Sequence, residues 1–271
     1  MKNYLIVVCL TIATICFGQT DPIIPLPNAH AHNDYEHRRP LFDALSHGFT
    51  SLEADVHLIN ETLYVAHDTP RDLDKTPSLQ SLYLQPLYQW MSEHNGTIYP
   101  KYDEPIFLMI DIKTNAESTY AALRSALAPF KSMLWHVDNG KVVPGPLRIF
   151  LSGNRPIAMV QQDEVQLAGI DGRPNDIGKD YTAEFMPVIS DNYRRHLSWR
   201  GKKGEPDAEE YEQLKSWINA AHAEGKKVRL WASPENQAVW VKLLELGVDL
   251  LNTDRLADLR DFLLNEATRS N

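Results

Sequence analysis

Cysteine is scarce in this chain and is confined to its first residues. The two cysteines among the 271 residues are Cys9 and Cys16, so a chain that begins after residue 18 contains none. Such a chain has no disulfides, no thiolate metal site and no cysteine nucleophile.

A single long apolar run stands at the start of the chain, where Lys2 is followed by an almost unbroken apolar stretch over 4–17. The run is shorter than the ~20 residues that a membrane-spanning helix needs. It resembles the core of a signal peptide, and Gly18 supplies the small residue that follows such a core. We therefore expect residues 1–18 to be a signal peptide and the mature protein to be periplasmic or secreted. A membrane anchor is the alternative.

Basic charge is also low, since the formal net charge is −9. General nucleic-acid binders present a basic surface, so we expect no nucleic-acid partner. The chain lacks a P-loop, G-x-G-x-x-G, G-x-S-x-G and H-E-x-x-H. Without these motifs there is no sequence support for Walker-type nucleotide hydrolysis, Rossmann-type redox chemistry or serine-hydrolase chemistry.

What the chain does contain is a regular alternation of strand-like and helix-like segments. Residues 19–271 have a length typical of a (β/α)8 barrel, about 250 residues. The predicted strands are 27–33, 50–58, 106–113, 147–152, 165–171, 185–190, 227–232 and 250–253. The predicted helices are 41–48, 116–130, 208–224, 236–247 and 256–264, and an insert over 60–104 carries a short strand at 63–66 and a helix at 82–91. This order predicts an α/β fold with a single parallel (β/α)8 TIM barrel.

Carboxylates cluster on two of the predicted strands. Glu53 and Asp55 are two residues apart in an apolar strand and therefore share one of its faces. Asp111 and Lys113 share a face at the carboxyl end of the next long strand. Neighbouring carboxylates repel each other, and a divalent cation removes that cost, with Mg²⁺ or Ca²⁺ suited to oxygen ligands. Separate ion pairs, including one between Asp111 and Lys113, are the alternative.

Three histidines lie near these carboxylates in the chain. His30 and His32 share a face at the end of the first predicted strand, and His67 follows the second. A single histidine at a strand end is more often structural than catalytic. His32 and His67 rise above that expectation because the carboxylate cluster lies on the strand between them.

Together these motifs resemble the phospholipase-C-like phosphodiesterase superfamily, which includes the glycerophosphodiester phosphodiesterases. The chain also resembles a branch that includes the fungal altered-inheritance-of-mitochondria proteins, through the His-Asn-Asp-Tyr segment 32–35, the segment 82–87 and the segment 190–193. The motifs shared with the superfamily are His32-Asn33, Glu53-Ala54-Asp55, His67-Asp68, Asp111-Ile112-Lys113, Trp231 and the segment 247–254.

The resemblance implies a barrel with one divalent cation, Mg²⁺ or Ca²⁺, and a phosphodiester or phospholipid head group as substrate. It implies Glu53, Asp55 and Asp111 as metal ligands and His32 and His67 as the acid and base. The substrate-binding candidates are Lys113 and Trp231 from the resemblance, Asn33 beside His32, and Asn252 at the end of the last strand. Many glycerophosphodiester phosphodiesterases have His-Arg-Gly where this chain has His32-Asn33-Asp34, so an arginine that contacts phosphate is missing here.

A basic stretch over Arg194–Lys203 follows the sixth predicted strand in this acidic protein. It carries five cations together with Tyr193 and Trp199. Basic and aromatic residues together suit an anionic membrane surface, so we expect transient membrane contact through this stretch. A solvated loop is the alternative.

Two other functions fit parts of the same pattern. His30-x-His32 resembles the metal-binding pair of amidohydrolases and of polymerase-and-histidinol-phosphatase-type enzymes, but the later predicted strands carry no further histidines. A barrel that binds a phospholipid or sugar phosphate without turnover is the second alternative.

Overall fold

The computed structural model describes residues 23–269. The expected signal peptide, residues 1–18, lies outside the described residues. Within 23–269, no helix has the length and apolar character needed to cross a membrane.

The described residues form twelve strands and seven α-helices. The strands are β1 (Leu26–Ala31), β2 (Phe49–Ile59), β3 (Thr62–Val65), β4 (Ile106–Ile112), β5 (Leu134–Asp138), β6 (Lys141–Val143), β7 (Leu147–Gly153), β8 (Val165–Gln166), β9 (Gly169–Gly172), β10 (Val188–Asn192), β11 (Lys227–Trp231) and β12 (Leu250–Thr253). The helices are α1 (Phe42–Ser46), α2 (Gln85–Glu93), α3 (Ala116–Leu127), α4 (Ile157–Gln162), α5 (Ala208–Ala223), α6 (Gln237–Leu246) and α7 (Leu256–Arg269). A π-helical turn, Gln80–Leu84, leads into α2. Short 3-10 turns occupy Asp34–Glu36, Ala128–Met133, Pro174–Asp176 and Tyr193–Arg195.

Eight of these strands close into a parallel barrel. Around the ring the order is β1, β2, β4, β7, β9, β10, β11 and β12, and β12 pairs back with β1. Every one of these pairings is parallel. The predicted (β/α)8 barrel is therefore confirmed.

Two predicted strands differ from the observed ones. The strand predicted over 165–171 is two strands, because β8 pairs antiparallel with β5 and only β9 joins the barrel. The strand predicted over 185–190 is β10, which starts after Pro187, a residue that has no N–H to donate to a ladder. The β5–β6 hairpin was not predicted, although Asn139-Gly140 at its turn is a typical local hairpin signal.

Helix caps keep the connections around the barrel compact. The Asp207 side chain accepts hydrogen bonds from the backbone N–H groups of Glu209 and Glu210 at the start of α5. Asn236 caps α6 in the same way, and α6 ends at Gly247, whose φ of 92° suits a residue without a β-carbon. Connections of this kind return the chain so that all eight strands end at one mouth.

The barrel lumen is divided into an apolar floor and a polar mouth. A separate cluster of buried apolar side chains fills the lower lumen, formed by Phe107, Met109, Phe150, Val188 and Leu250. The larger apolar core lies between the sheet and the surrounding helices. Polar side chains occupy the lumen towards the carboxyl ends of the strands, where barrel enzymes carry their active sites.

Candidate active site

Three carboxylates meet on one wall of the mouth. Glu53 and Asp55 extend from β2, and Asp111 extends from β4, where it lies directly beside Asp55 in the strand register. One oxygen from each carboxylate lies within 4.8 Å of the other two. The structure thus brings together the three residues that the sequence predicted as metal ligands.

Two oxygens of this cluster have no partner. Asp55 Oδ1 and Asp111 Oδ1 are buried and accept no hydrogen bond from any described residue. Burial raises the pKa of Asp111, Lys113 opposes that shift, and Asp55 and Glu53 add to it. A buried group of oxygen donors with excess negative charge fits a divalent cation such as Mg²⁺ or Ca²⁺.

Gly153 makes room for the Asp111 carboxylate. Its φ is +66°, and a β-carbon at this position would lie 2.0 Å from Asp111 Oδ1. Any side chain at position 153 would therefore displace the carboxylate or distort the end of β7.

The second oxygen of Asp55 holds three neighbours of the cluster. Asp55 Oδ2 lies 2.9 Å from Lys113 Nζ, 2.8 Å from the Tyr35 hydroxyl and 3.1 Å from His67 Nδ1. Lys113 Nζ is also 3.3 Å from Asp111 Oδ2. Burial lowers the pKa of Lys113, but the charge of Asp111 and contact with Asp55 outweigh burial and raise it. Lys113 is therefore a fixed cation at the rim of the cluster.

His32 stands on the other side of the cluster and has its own carboxylate. Its Nδ1 lies 2.6 Å from Asp254 Oδ1, just beyond β12. Burial lowers the pKa of His32, but the hydrogen bond with Asp254 and the charges of Glu53 and Asp254 outweigh it, so the pKa is raised. This contact leaves Nε2 as the nitrogen for a substrate.

His67 is the more exposed of the two histidines, with 58% of its side chain accessible. Its Nδ1 is bound to Asp55, so its Nε2 is also left for a substrate. The backbone carbonyl of His67 lies 3.3 Å from Nε2 of the buried His57. Both predicted catalytic histidines thus flank the carboxylate cluster, and each is oriented by a carboxylate.

His30 lies deeper and is wholly buried. It contacts Ser51 Oγ at 2.7 Å and Glu53 Oε2 at 3.2 Å. Burial holds the pKa of His30 well below its usual value, and the charge of Arg229 adds to that effect. His30 is therefore neutral and orients Glu53 rather than facing the mouth.

The predicted substrate-binding residues occupy two levels. Asn252 is buried, and its Oδ1 accepts a hydrogen bond of 3.0 Å from Arg229 Nε. Arg229 Nη2 is in turn 3.6 Å from Glu53 Oε2. Asn252 is thus connected to Glu53 through Arg229 and belongs to a buried polar layer beneath the mouth. Trp231 is two residues beyond Arg229 on the same face of β11 and is partly exposed. Asn33 lies at the mouth with a φ of 47°, and its Oδ1 accepts a 2.8 Å hydrogen bond from Tyr35.

Sequence reasoning gave no role to Tyr35 or Asp254. Tyr35 links Asn33 to the carboxylate cluster, and burial followed by the charge of Asp55 raises its pKa. Asp254 could have been found by the argument that selected Asn252, because it lies two residues further on, at the end of the same strand. Tyr35 had no such signal, since it lies in a 3-10 turn without periodicity.

In the basic stretch, the two aromatic side chains make hydrogen bonds to backbone carbonyls. Tyr193 is buried and donates a 2.7 Å hydrogen bond from its hydroxyl to the Trp199 carbonyl. The Trp199 indole donates in turn to the carbonyl of Lys203 at 3.1 Å. The Tyr193 ring is therefore not available to a membrane surface, whereas Trp199 is partly exposed. The exposed members are Arg194, Arg195, Arg200, Lys202 and Lys203.

A solved structure and several fungal proteins are similar to this chain. A glycerophosphodiester phosphodiesterase from Parabacteroides distasonis superposes with a TM-score of 0.60 at 13% identity, covering 89% of this chain and 98% of the other. Altered inheritance of mitochondria protein 6 from Kluyveromyces lactis is 28% identical over 90% of this chain and 74% of its own length. The homologue from Arthroderma benhamiae is 29% identical over 87% of this chain and 83% of its own length.

The superposition supports the barrel fold, and the fungal names refer to the inheritance of mitochondria rather than to a reaction. A family model described as the AIM6-like phosphodiesterase domain matches residues 19–167, more than half of the chain. The matched segment contains both predicted catalytic histidines and all three carboxylates of the cluster. The chain therefore belongs to the AIM6-like phosphodiesterase domain family.

Proposed function

We propose that this protein is a metal-dependent phosphoric diester hydrolase acting on a glycerophosphodiester or phospholipid-type substrate. The observation that carries the proposal is the pair of buried, unpartnered oxygens on Asp55 and Asp111, flanked by two histidines that each have a carboxylate partner. Buried oxygens without partners are costly, and in an active site they are typical of ligand-binding positions. The family and the fold both agree with a phosphodiesterase.

Glu53, Asp55 and Asp111 would hold one divalent cation, Mg²⁺ or Ca²⁺. When bound, such a cation offsets the negative charge that develops on a phosphate oxygen during phosphoryl transfer. Lys113 and Trp231 would line the pocket, with the Lys113 ammonium directed at a second phosphate oxygen. Asn33 would offer its carboxamide beside them.

The two histidines would move the protons. The raised pKa of His32 favours its imidazolium form, which suits a general acid that protonates the leaving alcohol oxygen. His67 would accept the proton from the attacking hydroxyl through Nε2 while Asp55 fixes the other ring nitrogen. When that hydroxyl belongs to the substrate, the product is a cyclic phosphate; when it is water, the product is a phosphomonoester.

The test is release of p-nitrophenol from bis(p-nitrophenyl) phosphate by the purified protein, with and without EDTA. We expect turnover that EDTA abolishes and that Mg²⁺ or Ca²⁺ restores. His32→Ala and His67→Ala should each lower kcat by about 10²- to 10⁴-fold, the usual contribution of a general acid or base.

Each variant should keep the melting temperature of the parent protein, which separates a catalytic loss from unfolding. Undiminished turnover in either variant would remove that histidine from the mechanism. Binding of two or three metal ions per chain would favour the amidohydrolase alternative. Phosphodiester binding without turnover under any divalent cation would favour a binding barrel.

We also propose that the protein is exported and that Arg194–Lys203 contacts an anionic membrane surface transiently. The five exposed cations support this proposal, and the segment follows β10 on the same side of the barrel as the catalytic mouth. A phospholipid substrate would present such a surface.

A further inference from the structure

A tyrosine hydroxyl lies between the proposed cation site and one of the proposed substrate-binding residues. Tyr35 is in the 3-10 turn that follows β1, and its hydroxyl is 2.8 Å from Asp55 Oδ2 and 2.8 Å from Asn33 Oδ1. The ring is partly buried and packs against the main apolar core, so packing holds the hydroxyl in place. A single oxygen atom thus connects the Asn33 amide to the carboxylate cluster.

The conformation of the turn brings the Asn33 and Tyr35 side chains together. Asn33 has φ 47° and ψ 41°, the left-handed conformation, which asparagine adopts more readily than most residues. Asp34, between them, is fully buried and accepts the Leu41 N–H, whereas Asn33 and Tyr35 are only partly buried. The turn therefore presents an amide and a hydroxyl beside Asp55.

Tyr35 supplies Asp55 Oδ2 with a contact that is fixed by packing. The other two neighbours of this oxygen are less firmly committed to it, because Lys113 Nζ is shared with Asp111 and 58% of the His67 side chain is exposed. A carboxylate can turn about its last bond and exchange its two oxygens, since that torsion is broad and nearly two-fold. A packed donor at Oδ2 opposes this exchange and keeps the buried, unpartnered Oδ1 for a cation.

The same hydroxyl orients the Asn33 amide. Asn33 Oδ1 contacts Tyr35, and Nδ2 has no hydrogen-bond partner within residues 23–269. An amide whose oxygen is held leaves its two N–H donors facing away from that contact. The anionic oxygens of a phosphate group only accept hydrogen bonds, so these donors suit them. Asn33 also directly follows the proposed acid His32 in the chain.

The Tyr35 hydroxyl carries one proton for its two acceptors, Asp55 and Asn33. The charged carboxylate is the stronger acceptor, so the proton lies towards Asp55 when that group has no cation. With Oδ1 engaged by a cation, the carboxylate becomes a weaker acceptor, and rotation of the hydroxyl towards Asn33 is favoured. One hydroxyl can therefore serve the two groups one after the other.

We propose that Tyr35 is a positioning residue for both the cation site and the substrate. Directed at Asp55, it holds the carboxylate with Oδ1 available to the cation. Directed at Asn33, it fixes the amide with its N–H donors available to a phosphate oxygen. The inference rests on the proposed phosphodiesterase function and adds to it a residue that acts only through its two neighbours.

The first measurement is cation affinity in the absence of substrate, read from the rise in melting temperature of the purified protein on titration with Mg²⁺ or Ca²⁺. Tyr35→Phe keeps the packed ring and removes only the hydroxyl. It should raise the cation concentration at the midpoint of the titration by about 10- to 100-fold, the range for loss of a group that supports a ligand. The midpoint separates this effect from any change in stability without cation.

The second measurement is KM for bis(p-nitrophenyl) phosphate at saturating cation. Tyr35→Phe and Asn33→Gly should each raise KM by about 10-fold, the effect of one hydrogen bond, and glycine suits the left-handed backbone at position 33. Asn33→Gly should leave the cation midpoint unchanged, because Asp55 keeps its donor. The double variant should raise KM no further than the larger single effect, because Tyr35 acts on the substrate through Asn33.

The matched control is Tyr120→Phe. The Tyr120 hydroxyl also donates to an aspartate that pairs with a cationic side chain, since Asp163 contacts Arg124, but this pair lies outside the barrel. Tyr120→Phe should change neither the cation midpoint nor KM. Equal changes in the Tyr120 and Tyr35 variants would overturn the specific role of Tyr35.

The outcomes separate this inference from the proposed function. A parent protein with neither turnover nor stabilisation by cations would overturn the phosphodiesterase function, and this inference with it. Metal-dependent turnover in the parent, together with an unchanged cation midpoint in Tyr35→Phe, would overturn the role of Tyr35 alone. Additive KM effects in the double variant would overturn the link to Asn33. Lower cation affinity with non-additive KM effects would support the inference.

Discussion

At the scale of single residues, the two oxygens of the Asp55 carboxylate have different surroundings. Asp55 Oδ1 is buried and unpartnered, whereas Oδ2 contacts Lys113, Tyr35 and His67. A cation at the first oxygen and a histidine at the second would share the same carboxyl group. The proposed acid–base residue His67 and the proposed cation site would therefore be linked through the Asp55 carboxylate.

His32 depends on a different carboxylate, and this gives a prediction in pH. Asp254→Asn removes the charge and acceptor that raise the pKa of His32, so that pKa should fall. If His32 is the general acid, activity is lost as pH rises through its pKa, and the basic limb of the kcat/KM profile should move to lower pH. A pH–rate profile of the variant measures this shift. An unmoved basic limb with reduced kcat would assign Asp254 to another role.

At the scale of secondary-structure elements, the connection from β1 to α1 contains a strained residue, Leu41, and a buried carboxylic acid, Asp34. Leu41 has φ 66° and ψ −58°, a conformation that L-residues with side chains rarely adopt. Its N–H donates a 2.6 Å hydrogen bond to Asp34 Oδ2, which also accepts one from the Tyr83 hydroxyl at 2.7 Å. Asp34 thus fixes the connection that carries Asn33 and Tyr35 at the mouth.

Burial raises the pKa of Asp34 from 3.8 to about 6, partly opposed by the bonds from Leu41 and Tyr83. The folded state therefore holds this proton more tightly than the unfolded state, and the associated stability is full below about pH 4 and lost as pH rises through about 6. Asp34→Asn cannot titrate, so its melting temperature should fall less than that of the parent between pH 4 and pH 7. Thermal melts across that range measure the difference.

The neighbouring Asp43 provides a control of opposite sign. Burial raises its pKa, but the backbone and side-chain hydrogen bonds from Arg39 outweigh burial and lower it. Its contribution is therefore present at higher pH and lost as pH falls, and Asp43→Asn should reduce stability above pH 4 instead. Identical pH profiles for Asp34→Asn and the parent would contradict the assignment of Asp34.

The end of β7 yields a prediction about the metal. In Gly153→Ala, the new β-carbon meets Asp111 Oδ1, so the carboxylate must move. We expect apparent affinity for Mg²⁺ or Ca²⁺ to fall by about 10- to 100-fold, the range for changes that disturb the support of a ligand. The rise in melting temperature on titrating the cation reports this affinity without any substrate.

Gly140→Ala is the matched control, because Gly140 also has a positive φ of +76° but nothing lies within 4 Å of the position that a β-carbon would take there. Gly140→Ala therefore introduces the same kind of backbone strain as Gly153→Ala but no contact with a carboxylate. Equal loss of cation affinity in both variants would show that strain, rather than displacement of Asp111, is responsible.

The charge of the whole molecule is unevenly distributed. The chain is acidic overall, at −9, yet five exposed cations lie within Arg194–Lys203. An acidic body is repelled by an anionic membrane, so contact through this segment would orient the protein with its mouth towards the surface.

Replacing these five cations by glutamine should weaken binding to vesicles that contain phosphatidylserine, at about 1 kcal/mol for each residue that contacts the surface. Activity on bis(p-nitrophenyl) phosphate serves as the control and should not change. Vesicle sedimentation at low and high salt measures the binding. Equal binding by the parent and the variant would leave the segment as a solvated loop.

The sequence was sufficient for the barrel and for the cluster of carboxylates and histidines, because both depend on local patterns. Alternation in β2 places Glu53 and Asp55 on one face whatever the rest of the chain does. Asp254 was harder to interpret, because its partner His32 is 222 residues away in the chain. The burial of Tyr193 was not predicted, since the hydrogen bonds of Tyr193 and Trp199 depend on how the loop after β10 folds.

The apolar floor of the lumen has a consequence for the traffic of reactants. Apolar side chains fill the lower barrel, so the substrate and products of the proposed reaction would all pass through the mouth; these side chains are Phe107, Met109, Phe150, Val188 and Leu250. In that reaction the alcohol would leave either past the bound phosphate group or after it. The order of product release would then depend on which group lies nearer the mouth, and added product should inhibit the proposed reaction by competing with substrate.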